Sequence, residues 1–166
     1  MKPLLLLDVD GPLNPYAALP CRRTPQGYRR HLVRPTGWTA GPPLPVLLNP
    51  EHGDELLTLT DRYELVWATT WKAEANKWIG PHLGLPPLPY IDWPEIAAVS
   101  ADGTSWKTRH VVAYAAGRPF AWVDDEITGP DRAWVAAHHP GRALLRRIDP
   151  RVGLVRPDFD VLAGWV

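Results

Sequence analysis

Four consecutive leucines, Leu4 to Leu7, run directly into Asp8-Val9-Asp10-Gly11-Pro12, and this stretch constrains the chain more than any other. An unbroken apolar run of that length suits a strand buried on both faces, the pattern of a parallel sheet covered by helices. Gly11 and Pro12 stop the strand and turn the chain. Two carboxylates therefore stand at the C-terminal end of a central strand, the edge at which open α/β sheets bind their ligands. Paired carboxylates in that position can coordinate a hard cation such as Mg²⁺, or divide nucleophilic and acid–base work between them. A strand that simply ends in an Asp- and Gly-rich turn is the plainer alternative.

The rest of the chain repeats the alternation of strand and helix. Asn49 can cap a helix with Pro50 in its first turn and Glu51, Asp54 and Glu55 near its positive end, running to about Arg62. Leu65 to Ala68 reads as a second buried strand ending at Thr69-Thr70, followed by a helix over Lys72 to Ile79 that Gly80-Pro81 breaks. Leu88 to Asp92 is a short third strand among prolines. After the loop Ser100 to Thr104, a helix from about Ser105 to Ala116 leads to a fourth strand, Phe120 to Val123, ending in Asp124-Asp125-Glu126. Pro130 to His138 reads as a helix, Ala143 to Ile148 as a fifth strand and Pro157 to Trp165 as a terminal helix. Five strands alternating with helices predict a three-layer α/β domain with a mainly parallel five-stranded sheet.

A length of 166 residues suits one domain, spanning 1–166. Basic and acidic residues balance at 18 each, so overall charge points to neither nucleic acid nor membrane. The balance hides an asymmetry. Residues 11–50 contain no Asp or Glu but hold Arg22, Arg23, Arg29, Arg30 and Arg34, leaving 13 basic against 18 acidic residues elsewhere. Tyr28 to Val33 and Leu44 to Leu48 read as two arms of a hairpin, so residues 14–48 are a small basic flap inserted just after the first acid pair. Its arginines, Arg29 and Arg30 above all, are candidates for binding a substrate with more than one phosphate, because Arg grips phosphate bidentately; pairing with acids of the body is the structural alternative. A single cysteine, Cys21, and a very short apolar run before Asp8 predict a soluble cytoplasmic protein without a membrane span. The nine tryptophans follow no repeat and read mostly as packing residues. His138-His139 diverge on a helix by about 100°, so they make no metal pair and none of the six histidines is assigned.

Taken in order, the chain presents an aspartate pair, a threonine ending the second strand, Lys107 opening the helix before the fourth strand, and a second acid pair. This series resembles the four motifs of the haloacid-dehalogenase-like (HAD) phosphohydrolases over nearly the whole chain, with Pro12 where a Thr is common. More narrowly, Asp8 to Pro15, Leu47-Leu48-Asn49-Pro50-Glu51-His52-Gly53 and Val66 to Trp71 with Ala75-Asn76 look like the HAD domain found in RNA-repair "Swiss Army knife" proteins. The resemblance implies a Rossmann-like HAD fold with the flap in the cap position, and a Mg²⁺-dependent phosphatase. Asp8 would be the nucleophile that forms an aspartyl-phosphate, and Asp10 the acid–base group. Thr69, or Thr70 in its place, and Lys107 would bind phosphoryl oxygens. The metal would be held by Asp8, the Asp10 carbonyl and Asp124, with Asp125 behind them. The substrate would be a phosphorylated small molecule, a nucleotide or an RNA end. A dehalogenase has no need of the acid at Asp10, and a phosphomutase is poorly served by a small flap. The rival from a different class is a noncatalytic nucleic-acid-binding or regulatory module that keeps the fold.

Overall fold

The computed structural model describes residues 1–18, 26–39, 41–94, 100 and 102–166; Cys21, Arg22 and Arg23 lie outside the described residues. In chain order the strands and α-helices are β1 (Leu4–Leu7), β2 (Arg29–Val33), β3 (Leu44–Leu48), α1 (Pro50–Thr58), β4 (Glu64–Trp67), α2 (Glu74–Trp78), α3 (Lys107–Ala115), β5 (Phe120–Asp124), α4 (Gly129–His138), β6 (Ala143–Arg147) and α5 (Arg156–Trp165). The main sheet has the order β4-β1-β5-β6, with every described pair parallel. All four leucines of β1 are fully buried. Leu5 and Leu7 pack into a cluster with Leu56 of α1 and Phe159 of α5, whereas Leu4 and Leu6 pack with Val111 of α3 and Val135 of α4. The sheet is thus the middle of three layers, and its central strand is the one that carries the acid pair.

The expected third strand, and with it the count of five, is corrected. Leu88 to Asp92 touches the sheet through a single parallel bridge between Trp67 and Tyr90, in which Trp67 donates to the Pro89 carbonyl and Ile91 donates to the Trp67 carbonyl. Pro86, Pro87 and Pro89 lack the N–H groups a ladder needs. Asn76 compensates from outside the sheet: its Nδ2 donates to the Leu88 carbonyl and its Oδ1 accepts from Leu88 N, both at 2.8 Å.

The insert is an antiparallel β2–β3 hairpin, with Arg29 opposite Leu48 and Val33 opposite Leu44. It is fastened to the body at several points. Thr36 donates its N–H and its hydroxyl to Glu74 at 2.9 and 2.8 Å, His31 stacks on His82 at 3.8 Å, and Tyr28 donates to the Val152 carbonyl at 3.1 Å.

Helix α1 forms where expected: Asn49 Oδ1 accepts from Glu51 N at 3.1 Å and Pro50 fills the first turn. On its inner face His52 packs against Tyr28 and Phe159, at ring-centroid distances of 5.5 and 5.6 Å, and its Nδ1 has no hydrogen-bond partner among the described residues. Burial pushes its pKa down to about 4. The unfolded chain therefore holds a proton on this residue, between about pH 4 and 6.5, that the folded chain has released. The contribution to stability is intact above pH 6.5 and declines by about 3 kcal/mol as the pH falls to 4. Denaturant unfolding of wild type and His52→Leu at pH 7 and pH 4 should show the variant gaining on wild type by about that amount; parallel pH profiles would remove His52 from the acid response.

Candidate active site

The parallel strands bring three polar ends to one edge: Asp8 after β1, Thr69-Thr70 after β4 and Asp124-Asp125 at the end of β5. Between them lies a cavity of about 450 Å³ lined by Asp8, Asp10, Asp125, Thr70 and Lys107, with Leu44, Pro45 and Val46 of the flap forming one wall.

Lys107 organises the floor of this cavity. Its Nζ donates to Asp8 Oδ2 at 2.6 Å and to Asp124 Oδ2 at 2.7 Å, and all three side chains are buried. Burial alone would lower the lysine pKa, but the two facing carboxylates outweigh it and raise the pKa, so the ammonium persists. One ammonium cannot balance two buried carboxylates. Burial, with the Asp8 charge added to it, pushes Asp124 up to about 7 against the opposing Lys107 and Glu126 N–H. Burial likewise raises Asp8, only partly offset by Lys107.

Helix α3 delivers the lysine, and a single buried carboxylate fixes the start of that helix. Asp131 Oδ1 accepts from Ser105 N at 2.7 Å and from the Thr108 hydroxyl, and its Oδ2 accepts from Thr128 N at 2.8 Å and the Thr128 hydroxyl at 2.6 Å. The first turns of α3 and α4, which flank the end of β5, are tied together by that residue. Sequence reading missed it, and the only available signal was the Thr128-x-x-Asp131 spacing of a helix start.

Asp10 is held on the opposite side of the cavity. Trp71 Nε1 donates to its Oδ2 and Asn14 Nδ2 to its Oδ1, each at 2.8 Å, while Asn14 Oδ1 accepts from Leu47 N of the flap at 2.9 Å. Asn14, Trp71 and Trp106 thus belong to the cavity or its support, although nothing in their sequence setting distinguished these tryptophans from packing residues.

Of the two threonines, Thr69 is fully buried. Its hydroxyl lies against Asp8 and accepts from Trp71 N at 3.4 Å, whereas the exposed Thr70 faces the cavity. Asp125, expected behind the metal ligands, stands with Asp8 and Asp124 in a group in which one carboxylate oxygen from each residue lies within 4.8 Å of the other two. Tyr16 donates to its Oδ2 at 3.0 Å. Gly11 makes this approach possible: a Cβ there would sit 2.5 Å from Asp125 Cγ, and the residue has φ +91°. The Asp10 carboxylate is not part of that group. Arg29 and Arg30 are exposed on β2 and do not line the cavity, and among the described residues no carboxylate pairs with them.

A three-carboxylate, all-oxygen donor set can hold a hard divalent cation. Among the described residues no helix is long and apolar enough to cross a membrane. Comparison of the chain with protein-family models, with curated proteins and with solved structures gives no match.

Proposed function

We propose that this chain is a HAD-like, Mg²⁺-dependent phosphatase that hydrolyses phosphomonoesters through an aspartyl-phosphate on Asp8. The observation that carries the reading is the buried Asp8–Lys107–Asp124 triad beside Asp125 and Asp10, at the C-terminal edge of a parallel sheet. Asp8, Asp124 and Asp125, with the Asp10 backbone carbonyl, would hold the cation. When bound, the cation supplies positive charge that lets an anionic nucleophile approach an anionic phosphate.

The chain's own residues perform the rest. Val9 N–H donates to Asp8 Oδ1 at 2.7 Å and orients the carboxylate. Asp8 attacks phosphorus, the bond from phosphorus to the leaving oxygen breaks, and Asp10 gives that oxygen its proton. Asp10 then takes a proton from water as the water attacks the phosphorylated aspartate, releasing phosphate and restoring Asp8. Acid–base help of this kind is typically worth about 10²–10⁴-fold. Lys107 and Thr70 stabilise charge on the transferred phosphoryl oxygens. The apolar wall of Leu44, Pro45, Val46, Trp71 and Trp106 favours a leaving group with a flat or apolar body, as in a nucleotide or the terminal residue of an RNA. Exposed Arg29 and Arg30 could meet only a substrate that extends beyond the cavity. The single cysteine fits a reducing compartment such as the cytoplasm.

Turnover of a small chromogenic phosphomonoester should require Mg²⁺, disappear after exhaustive EDTA treatment and return when Mg²⁺ is restored. Undiminished turnover after EDTA would rule out the metal role, and no turnover under any condition would favour the noncatalytic module.

A further inference from the structure

Beyond Asp125 and Glu126 the cavity continues into an open depression of about 500 Å³, which shares those two residues with it and is lined on its far side by Arg132 and Arg147. Arg147 is the last residue of β6 and lies in register with Asp124. It therefore emerges at the same sheet edge as Asp8, two strand spacings or about 10 Å from β1.

Both guanidinium groups are anchored by neutral acceptors. Arg147 Nε donates to the Asp125 backbone carbonyl at 3.1 Å, and Arg132 Nη1 donates to the Leu145 carbonyl at 2.5 Å. Neither has an ion-pair partner among the described residues, in contrast to Arg146 and Arg151 nearby, which are paired with Asp158 and Asp149. Glu126 stands on the shared wall without bonding to either arginine. The depression thus presents two anchored guanidinium groups with no ion-pair partner among the described residues, beside the wall of Asp125 and Glu126 that it shares with the cavity. Arg146 and Arg151 have carboxylate partners; Arg132 and Arg147 each have one neutral acceptor.

We propose that Arg132 and Arg147 form a subsite for a second phosphate carried on the leaving group, so that the preferred substrate is a bisphosphorylated compound such as a nucleoside with phosphates on both ends of its sugar. The proposal rests on the phosphatase reading for the first phosphate. It moves multi-phosphate recognition from the flap arginines to the end of β6, because the forked geometry of Arg matches phosphate oxygens and these two residues line a depression that shares Asp125 and Glu126 with the cavity.

The test compares adenosine 3′,5′-bisphosphate with adenosine 5′-monophosphate, using wild type, Arg132→Gln, Arg147→Gln and the double variant. Wild type should favour the bisphosphate in kcat/KM by about tenfold or more. Each single variant should lose most of that ratio, chiefly through KM, and the preference should weaken as salt rises. Arg132→Gln guards against a secondary effect, since Arg132 is hydrogen-bonded to the Leu145 carbonyl and not to Asp125. Calorimetric binding of the same two compounds to the Asp8→Asn protein in Mg²⁺, with and without the arginine substitutions, reads the subsite independently of turnover. A bisphosphate preference in binding that needs the arginines supports the subsite. Equal binding of the two compounds, or a preference that survives both substitutions, overturns it. The same binding preference with no turnover of any phosphomonoester by wild type would overturn the phosphatase reading and leave the anion subsite standing.

Discussion

Replacing Asp8 by asparagine should abolish phosphomonoester turnover, with a loss on the order of 10⁴–10⁶-fold, while the fold survives. An amide oxygen is a poor nucleophile toward phosphorus, and the substitution also removes one of the three gathered carboxylates. Survival of the fold follows from the charge balance of the triad. The single amide oxygen of asparagine can stand in for Oδ2 as the acceptor of Lys107, at the cost of the Val9 N–H contact made by Oδ1, and the ammonium keeps Asp124 as its partner at 2.7 Å. Near-wild-type circular dichroism and a melting temperature within a few degrees should accompany the lost activity. Asp10→Asn should lower turnover by a smaller factor and leave metal affinity nearly intact, because its carboxylate bonds to Trp71 and Asn14 and lies outside the carboxylate group. Wild type trapped with beryllium fluoride should carry density continuous with the Asp8 side chain. Retained turnover in the Asp8 variant would exclude the covalent route.

Lys107→Met should have the largest effect on stability. Methionine fills much of the same space, but it leaves Asp8 and Asp124 facing each other in a buried site with no compensating charge. Breaking a buried ion pair on one side costs about 3–5 kcal/mol, which for a chain of this size corresponds to a fall in melting temperature of about 10 °C or more. Asp124 titrates near 7 even with the lysine present, so its folded-state pKa lies above the unfolded value of 3.8. A group shifted in that direction binds its proton more readily in the folded state, and its cost appears as the pH rises toward the folded pKa. The deficit of Lys107→Met relative to wild type should therefore be smaller at pH 5 than at pH 8. Adding Asp8→Asn should recover part of it, and millimolar Mg²⁺ should stabilise the single variant more than wild type, since the cation replaces the missing charge. A Lys107→Met protein as stable as wild type at pH 8 would mean that the two carboxylates do not need the ammonium.

Much of the local structure was legible because its causes are local. The apolar run of β1, the Asn49-Pro50 start of α1 and the acid pair that ends β5 are each written in adjacent residues, and the observed elements fall within a few positions of the expected ones. The expected third strand fails for an equally local reason: the prolines around Leu88 and Ile91 remove the ladder donors that their apolar side chains alone would suggest. The candidate site was legible only as a set of strand ends. Alternation along a strand says that Asp8 and Asp10 are two residues apart; it does not say which way a side chain points once the chain leaves the strand.

By itself, the sequence determined that apolar strands would be covered by helices and that acidic and hydroxyl groups would collect at one sheet edge, because buried periodicity and right-handed crossovers leave few other arrangements. Only the tertiary structure decided the partners at that edge. Lys107 reaches Asp8 across 99 positions of chain, Asp125 enters the carboxylate group because Gly11 has no side chain, and Asp10 is drawn aside by Trp71 and Asn14. Arg29 and Arg30 of the flap fall outside the cavity while Arg147 falls beside it, because β6 ends next to Asp124. Each of these contacts depends on packing between elements distant in sequence, on which local propensity and periodicity carry no information.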